Sequence, residues 1–273
     1  MDENVLAALP ARLVPWFTAA KRDLPWRRDR EPYHVWVSEI MLQQTRVEAV
    51  VGYYDRFLKA LPDIRALADA PEDQLMKLWE GLGYYSRARN LQKAARQIME
   101  RHGGTFPRDA ADIRALAGIG DYTAGAIGSI CFEYPTAAVD GNVLRVVSRV
   151  TGSDAPIDKP ETKKKIGVDL SAVYPAGHCG DFTQSLMELG ATVCAPRGAR
   201  CGVCPLADIC AAKREDRVEA LPVKGEKRAR KIEERTVFFL EYEDKVAICR
   251  RPPRGLLASM WQLPNLAGKL EVQ

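Results

Sequence analysis

Long apolar runs are absent from this 273-residue sequence. No stretch approaches the roughly 18 unbroken apolar residues that a membrane-spanning helix requires. The N-terminal stretch MDENVLAALPARLVPWF carries acidic residues first, and it has neither the basic head nor the small-residue cleavage site of a secretory signal. We therefore expect a cytoplasmic protein with no membrane partner.

Cysteine is scarce outside one stretch, CAPRGARCGVCPLADIC at 194–210, which holds four of the seven cysteines with the spacing CX6CX2CX5C. Where thiols stay reduced, clustered cysteines are metal ligands more often than disulfides. Four thiolates in one short loop suit an iron–sulfur cluster, whereas zinc sites usually pair their ligands in two short knuckles. The spacing favours iron–sulfur over zinc and over unligated thiols. The predicted ligands of this structural metal centre are Cys194, Cys201, Cys204 and Cys210.

A strong net charge is also lacking, since 40 basic and 36 acidic residues leave only +4. Overall composition therefore does not indicate a nucleic-acid binder, and the local distribution of charge matters more. The densest basic run is KGEKRARK at 224–231. A run of like charges is usually a solvated linker, and that interpretation stays open beside a contact with nucleic acid.

Convincing strand patterns are missing before residue 235. Up to about residue 212 the sequence predicts nine or ten helices, from helical spacing of apolar residues and repeated start and stop signals. Residues 213–234 suit a basic linker. In 235–273, RTVFFLEYEDKVAICRR predicts a hairpin that turns at Glu243 and Asp244, and a unit of about forty residues is too small to be a complete domain.

Two glycines separate two helical patterns in DIRALAGIGDYTAGAIG at 112–128. The turn at Gly118, Ile119 and Gly120 is short enough to predict a helical hairpin whose glycines let the backbone approach another molecule. Backbone N–H groups at the start of the second helix can hold a phosphate. A plain corner between two helices is the alternative.

Two carboxyl groups are candidates for chemistry. Read as one helix, WVSEIMLQQTRV at 36–47 places Glu39 on a face with Leu42, Gln43 and Arg46. Apolar neighbours would raise the pKa of Glu39 and make it an acid at neutral pH, although an ordinary surface glutamate fits the same pattern. Asp140, between an apolar run and a helix, is most simply a helix N-cap.

Together, the hairpin and the cysteine stretch resemble the helix–hairpin–helix DNA glycosylases that carry a [4Fe-4S] cluster. The further motifs EGLGYYSRARNL at 80–91 and AVDGNVLRV at 138–146 resemble the branch specific for adenine in A/G mismatches, the MutY type. The resemblance implies a mainly α, two-lobed domain over 1–212, with a six-helix barrel lobe and a cluster lobe. It also implies that 235–273 is the opening of a Nudix-like C-terminal domain.

The resemblance assigns a role to each candidate. Glu39 matches the acid that protonates adenine N7, and Asp140 matches the group that stabilises the oxocarbenium ion, by charge or through a covalent sugar adduct. Asn142 supports that site, and the Tyr122 hydroxyl lies near the aspartate. Related thymine-glycol glycosylases place a lysine, which forms a Schiff base, where this chain has Tyr122. We therefore expect a monofunctional enzyme.

The remaining matches concern DNA and the extruded base. Gln44 and Tyr85 match residues inserted at the mismatch, and Arg27 and Gln184 match hydrogen-bonding walls of the adenine pocket. Trp26 matches another wall, although core packing alone explains a tryptophan. The full predicted set for DNA and substrate is Trp26, Arg27, Leu42, Gln44, Thr45, Tyr85, Gly118, Gly120 and Gln184.

The resulting prediction is a monomeric repair glycosylase that removes adenine opposite 8-oxoguanine or guanine in double-stranded DNA, associated with the nucleoid in a bacterium. Two alternatives remain at this stage. One is a thymine-glycol-type glycosylase with lyase activity, and the other is a non-catalytic iron–sulfur protein that binds DNA.

Overall fold

A computed structural model of the chain describes residues 3–225, 232–252, 255, 257 and 260–270. The chain divides into two compact units, Met1–Gly225 and Glu226–Gln273. Among the described residues, every helix lies in the first unit and every strand in the second. The mainly helical fold is confirmed, and so is the lack of strands before residue 235 within that described part. None of the described helices is both long enough and apolar enough to cross a membrane.

The described part of the first unit has thirteen α-helices, more than the nine or ten predicted. They are α1 (Glu3–Ala7), α2 (Leu9–Ala20), α3 (Pro32–Leu42), α4 (Val47–Ala60), α5 (Ile64–Asp69), α6 (Glu72–Trp79), α7 (Ser86–His102), α8 (Ala110–Ala115), α9 (Asp121–Phe132), α10 (Gly141–Thr151), α11 (Pro160–Ser171), α12 (Cys179–Thr192) and α13 (Ala211–Arg214). Two 3₁₀ helices are Pro25–Arg27 and Cys201–Val203.

Two separate apolar cores give the first unit the predicted two lobes. The first core is built from α3 to α9 and fully buries Trp36, Phe57 and Trp79. Seven helices contribute to it, where the resemblance implies six. Helix α7 is closed by Gly103, which adopts a left-handed φ of 61° and whose N–H bonds to the carbonyl of Ile98.

The second core is built from α1, α2, α10, α11 and α12. In α10, Asp140 caps the first turn by accepting a 2.8 Å hydrogen bond from the Val143 N–H, which confirms the predicted N-cap. Val143, Val147 and Val150 follow at helical spacing and are buried. The cap therefore places the Asp140 carboxyl at the start of a helix of the second lobe.

The lobes meet closely where α12 crosses α9. A Cβ added at Gly180 would lie 2.9 Å from the Ile130 Cα, so only glycine permits this approach. Side-chain hydroxyls join the two helices as well, since Thr183 donates to Ser129 at 2.8 Å. The crossing fixes α9 and α12 as two neighbouring walls of the cleft between the cores.

The first unit continues past residue 212, where we predict the helical domain to end. The Ile157 N–H donates to the Val223 carbonyl at 3.0 Å, and Arg149 Nε donates to the Leu221 carbonyl at 2.9 Å. The start of the predicted linker at 213–234 therefore packs on the helical unit. Residues 226–231, most of the predicted basic run, lie outside the described residues.

Short antiparallel strands make up the described part of the second unit. They are β1 (Arg235–Val237), β2 (Glu241–Tyr242), β3 (Lys245–Val246), β4 (Cys249–Arg250), β5 (Trp261–Gln262) and β6 (Asn265–Ala267). Their pairs are β1 with β6, β2 with β3, and β4 with β5. The predicted hairpin is confirmed: β2 and β3 are joined by Glu243 and Asp244 at φ 46° and 59°, as in a two-residue turn with two positive φ angles. The Nudix-like character of 235–273 stays a prediction.

Candidate active site

One cavity of about 460 Å³ lies between the two cores, within the roughly 300–1,000 Å³ range of ligand pockets. It brings together residues from the 3₁₀ helix Pro25–Arg27, from α3, α9 and α12, and from the start of α10. Ten sequence-predicted residues line it: Trp26, Arg27, Glu39, Leu42, Gln44, Thr45, Tyr122, Asp140, Asn142 and Gln184. Glu39 and Asp140, 101 positions apart in the sequence numbering, share this space.

Glu39 is a buried carboxyl, 6% exposed, on the last turn of α3. The Tyr122 hydroxyl donates to its Oε2 at 2.7 Å. Burial raises the pKa of Glu39 to about 7, and the Asp140 charge adds to this, while the Tyr122 hydrogen bond and the Arg27 charge act in the opposite direction. A carboxyl with this pKa is protonated in a large fraction of molecules at neutral pH.

Asp140 is also largely buried, but hydrogen-bond donors surround its carboxylate. Its Oδ1 accepts from the Val143 N–H and its Oδ2 from Asn142 Nδ2, both at 2.8 Å. Burial raises the pKa of Asp140, but these donors and the Arg145 charge favour its ionised form. Arg145 also holds Asn142, with Nη2 donating to Oδ1 at 2.8 Å. The pKa of each carboxyl is thus raised by burial, and Asp140 alone accepts two N–H hydrogen bonds that favour its anion.

The Tyr122 hydroxyl makes its short contact with Glu39, whereas the resemblance implies a place near Asp140. Burial raises the pKa of Tyr122 well above its usual value, and both carboxylates add to this effect. The phenol is therefore a neutral hydrogen-bond donor at any physiological pH. Among the described residues that line the cavity, no lysine is present.

The prediction of one continuous helix over 36–47 is wrong. Helix α3 ends at Leu42, Gln44 adopts a left-handed φ of 58°, and α4 begins at Val47. Gln43 and Arg46 are therefore not on a helical face with Glu39. The cause is Arg87 of α7, whose Nη1 donates to the carbonyls of Ile40, Met41 and Gln43 at 2.7, 3.0 and 2.6 Å and so satisfies the end of α3.

A charged group that the sequence analysis missed lines the same cavity. Glu188 of α12 is 1% exposed and accepts hydrogen bonds from both Arg22 and Arg27. Burial alone would raise the pKa of Glu188, but the two arginines together hold it at about 2. The pattern DFTQSLMELGATV gives no sign of this, because a glutamate at helical spacing is normally exposed.

Three further residues that were predicted to bind DNA or substrate differ in their contacts. Trp26 packs edge-on against Tyr54 in the first core, with ring centres 5.5 Å apart, and it also lines the cavity. Gln184 reaches the cavity, and its Nε2 donates to the Gly180 carbonyl of its own helix at 3.4 Å. Thr45 Oγ1 donates to the Gln43 carbonyl at 3.4 Å.

Tyr85, Gly118 and Gly120 do not line the cavity. Tyr85 packs against the first core, whereas its neighbour Tyr84 is 63% exposed, adopts φ 46° and stacks on the Arg87 guanidinium. Tyr84, which the sequence analysis missed, is therefore the exposed ring of this pair. A tyrosine pair in a loop gives no sequence signal for which ring is buried.

The glycine hairpin between α8 and α9 is present. Gly118 has φ 77°, and a Cβ there would lie 2.8 Å from the Asn90 Cβ, so this glycine permits close packing on α7. Gly120 is exposed and is the N-cap of α9 without a side-chain cap. The first N–H groups of α9 are consequently not capped by the residue before them.

The four predicted cysteine ligands line one small apolar cavity beside α10, together with Arg149. Buried Arg149 donates from Nη1 to Cys194 Sγ at 3.4 Å. Within the described residues, no three His, Cys, Asp or Glu side chains are arranged around a single metal ion. Four thiols from one loop, apolar walls and one buried cation fit a larger anionic group such as an iron–sulfur cluster.

Comparison with known proteins identifies the family of the chain. The family profile described as "HhH-GPD superfamily base excision DNA repair protein" matches residues 37–170. The chain is 44% identical over 234 residues to the adenine DNA glycosylase of Homo sapiens, covering 82% of this chain and 43% of that protein. It is 34% identical over 248 residues to the adenine DNA glycosylase of Buchnera aphidicola subsp. Baizongia pistaciae (strain Bp), covering 90% and 70%. The chain spans less than half the length of the human, rat and mouse relatives.

Solved structures share the fold. A thermostable thymine-DNA glycosylase superposes with a TM-score of 0.71 at 28% identity, over 78% of this chain and 98% of that chain. A trapped endonuclease III–DNA covalent intermediate superposes with a TM-score of 0.67 at 21% identity, over 79% and 99%, and shows the fold alone. The chain belongs to the HhH-GPD superfamily of base excision DNA repair proteins, and within it to the adenine DNA glycosylases.

Proposed function

We propose that this protein is a monofunctional DNA glycosylase that removes adenine mispaired with 8-oxoguanine or guanine. One observation carries the proposal: Glu39, with a pKa raised to about 7 by burial, shares a nucleoside-sized cavity with Asp140, whose carboxylate is stabilised by two N–H donors. Cleaving an N-glycosidic bond needs this pairing of an acid and an anion. The family membership of the chain supports the same assignment.

The reaction begins when the mispaired adenine leaves the stack and enters the cavity. The Glu39 carboxyl transfers its proton to adenine N7, so that the base departs as a neutral molecule when the bond from C1′ to the base nitrogen breaks. The electron pair of that bond leaves with adenine, and the sugar becomes an oxocarbenium ion. The Asp140 carboxylate stabilises this cation until water adds at C1′ and releases a proton.

The side chains around the two carboxyls maintain their different states. Tyr122 orients Glu39 through its 2.7 Å hydrogen bond, and Asn142 and the Val143 N–H keep Asp140 charged and fixed. A monofunctional mechanism is supported by the residues that line the described cavity, since they include no lysine to form a Schiff base with the sugar. The thymine-glycol-type lyase is therefore the weaker proposal.

Contacts with DNA are proposed around the mouth of the cavity. Tyr84 is an exposed ring next to the Arg87-supported turn, and Gln44 is exposed in a left-handed conformation at the cavity edge. Both can fill the gap that an extruded base leaves. Gly120 and the first turn of α9 offer backbone N–H groups to a phosphate. The proposed partner is double-stranded DNA bound by a monomer, on the nucleoid in a bacterium.

The cysteine loop is proposed to hold a [4Fe-4S] cluster through Cys194, Cys201, Cys204 and Cys210. The cluster would fasten the loop after α12 and shape its basic segment for DNA, and no step of base removal depends on it. Arg149 would offset part of the negative charge of the cluster, since it already contacts Cys194 Sγ.

An incubation with labelled duplexes tests the function. With A:8-oxoguanine or A:G duplexes, adenine should be released and strand breaks should appear only after alkali. A matched A:T duplex is the control and should remain intact. Breaks without alkali would support the lyase instead, and tight binding without base release would support a non-catalytic protein.

A further inference from the structure

A buried ionic cluster joins three segments of the cavity wall. Glu188 of α12 accepts from Arg22 Nε at 2.7 Å and Arg22 Nη2 at 2.8 Å, and also from the Arg22 backbone N–H at 3.2 Å. Its Oε2 further accepts from Arg27 Nη2 at 2.8 Å. The sequence separation is 161 residues or more, so the cluster is a product of the fold.

Arg27 is held on several sides by these neighbours. Its guanidinium lies over the ring of Phe17, 5.3 Å from the ring centre, and Phe17 is fully buried in α2. Arg27 Nη1 donates to the Arg22 carbonyl at 3.3 Å, while Nη2 donates to Glu188. These bonds use two of the five N–H donors of the group. The other three N–H donors belong to the same Arg27 side chain, which lines the cavity together with Glu39.

The arrangement is more than an internal salt bridge, because it sits beside the reacting carboxyl. A buried ion pair stabilises a fold little more than apolar packing does. Stability therefore does not explain why these charges line a ligand cavity. Arg22, Arg27 and Glu188 all line the cavity that holds Glu39. A bare guanidinium in this position would favour the ionised form of Glu39, which cannot donate a proton.

We infer that Glu188 is a positioning residue of this site: it fixes the Arg27 guanidinium on the cavity wall and offsets its positive charge, so that Arg27 can contact a base while Glu39 keeps its proton. Contact with a base rests on the proposed function. The effect on Glu39 does not depend on turnover.

The titratable and charged neighbours of Glu39 come from several elements. They are Tyr122 and Cys131 on α9, Asp140 before α10, and Arg27 in the 3₁₀ helix. Arg27 lowers the pKa of Glu39, against the raising effects of burial and Asp140. Removing the negative charge of Glu188 leaves Arg22 and Arg27 uncompensated, which favours ionised Glu39. Removing Arg22 instead leaves the negative charge of Glu188 with only Arg27 to offset. This change favours protonated Glu39.

The test is an infrared titration of Glu39 in the intact protein, with Glu39→Gln subtracted to isolate its carboxyl band. Glu188→Gln should move the midpoint of Glu39 downward by about one pH unit, the lower end of what one nearby charge produces. Arg22→Gln should move it upward. Glu188→Asp keeps the charge and should keep the wild-type midpoint.

Adenine release adds a second readout. A midpoint lowered by about one pH unit reduces the protonated fraction about tenfold at pH 8 and about twofold at pH 6. The rate of Glu188→Gln should follow this pattern, whereas simple structural damage lowers the rate equally at both pH values. Circular dichroism checks that each variant is folded. If Glu188→Gln does not fold, the upward midpoint shift expected for Arg22→Gln tests the inference.

An unchanged Glu39 midpoint in Glu188→Gln, or a shift of the same sign in Arg22→Gln, overturns the inference. A wild-type protein that releases no adenine but shows both midpoint shifts contradicts the proposed function and leaves the charge-offset role of Glu188 intact. Adenine release without any midpoint shift supports the proposed function and overturns the charge-offset role of Glu188.

Discussion

Replacing Glu39 by glutamine should make the protein more stable at alkaline pH. Burial raises the pKa of this carboxyl to about 7 from 4.5, so the folded state binds its proton more tightly than the unfolded state does. The stabilisation from that proton is complete below the unfolded pKa and is lost as pH rises through 7. At about 1.36 kcal/mol per pKa unit, ionised Glu39 costs the folded state about 3 kcal/mol.

The Glu39→Gln side chain has nearly the same shape, carries no charge, and its amide oxygen can still accept from Tyr122. We expect a gain in unfolding free energy of about 3 kcal/mol at pH 8 and only about 1 kcal/mol at pH 5. Urea unfolding followed by circular dichroism at the two pH values measures this difference. Glu100→Gln, an exposed glutamate on α7, is the matched control and should change stability by less than about 0.5 kcal/mol at both.

The reasoning is refuted if Glu39→Gln is less stable than wild type at pH 8, or if the gain is the same at both pH values. Either result would mean that burial does not disfavour the charged form of this carboxyl. Confirmation would show that the protein carries a destabilising group at its cavity, as expected for a residue retained for chemistry.

Three further predictions address the neighbouring groups. Asp140→Asn should lower single-turnover adenine release by about 100-fold or more, while circular dichroism shows an almost unchanged melting temperature because asparagine is an equally good N-cap; a normal rate would exclude Asp140 from catalysis. In gel-shift titrations Tyr84→Ala should weaken mismatch binding by about 1–3 kcal/mol, whereas Tyr85→Ala should chiefly lower the unfolding free energy, by about 2 kcal/mol; the reverse pattern would restore Tyr85 as the inserted ring. The purified protein should show broad visible absorption with iron and sulfide in similar amounts, lost in Cys204→Ser and kept in Cys131→Ser, and a colourless protein with one zinc would contradict the cluster.

Local signals in the sequence predict much of the fold. The N-cap at Asp140 and the hairpin at Glu243 and Asp244 depend on residues within a few positions of one another, and the structure has both. Helix α3 is different. Its end at Leu42 depends on Arg87, 44 or more positions away, and no periodicity within 36–47 can reveal that contact.

The candidate site likewise contains residues that the sequence indicates and residues that only long-range contacts reveal. The resemblance directs attention to Glu39 and Asp140, and their pairing in one cavity follows from the way the two lobes meet. Glu188 has no local signal, because its burial depends on arginines more than 160 positions earlier in the chain. The choice between Tyr84 and Tyr85 likewise depends on which ring faces the first core. Long-range contacts, rather than residue type, decide these positions.

The central claim is that adenine leaves only after it receives the proton of Glu39. Single-turnover release of adenine from an A:8-oxoguanine duplex, measured at pH 7 for wild type and Glu39→Gln, tests it most directly, with duplex binding measured in the same samples. Wild type should release the base, and the variant should bind the duplex equally well and release none. Release by Glu39→Gln at a rate near that of wild type would contradict the account.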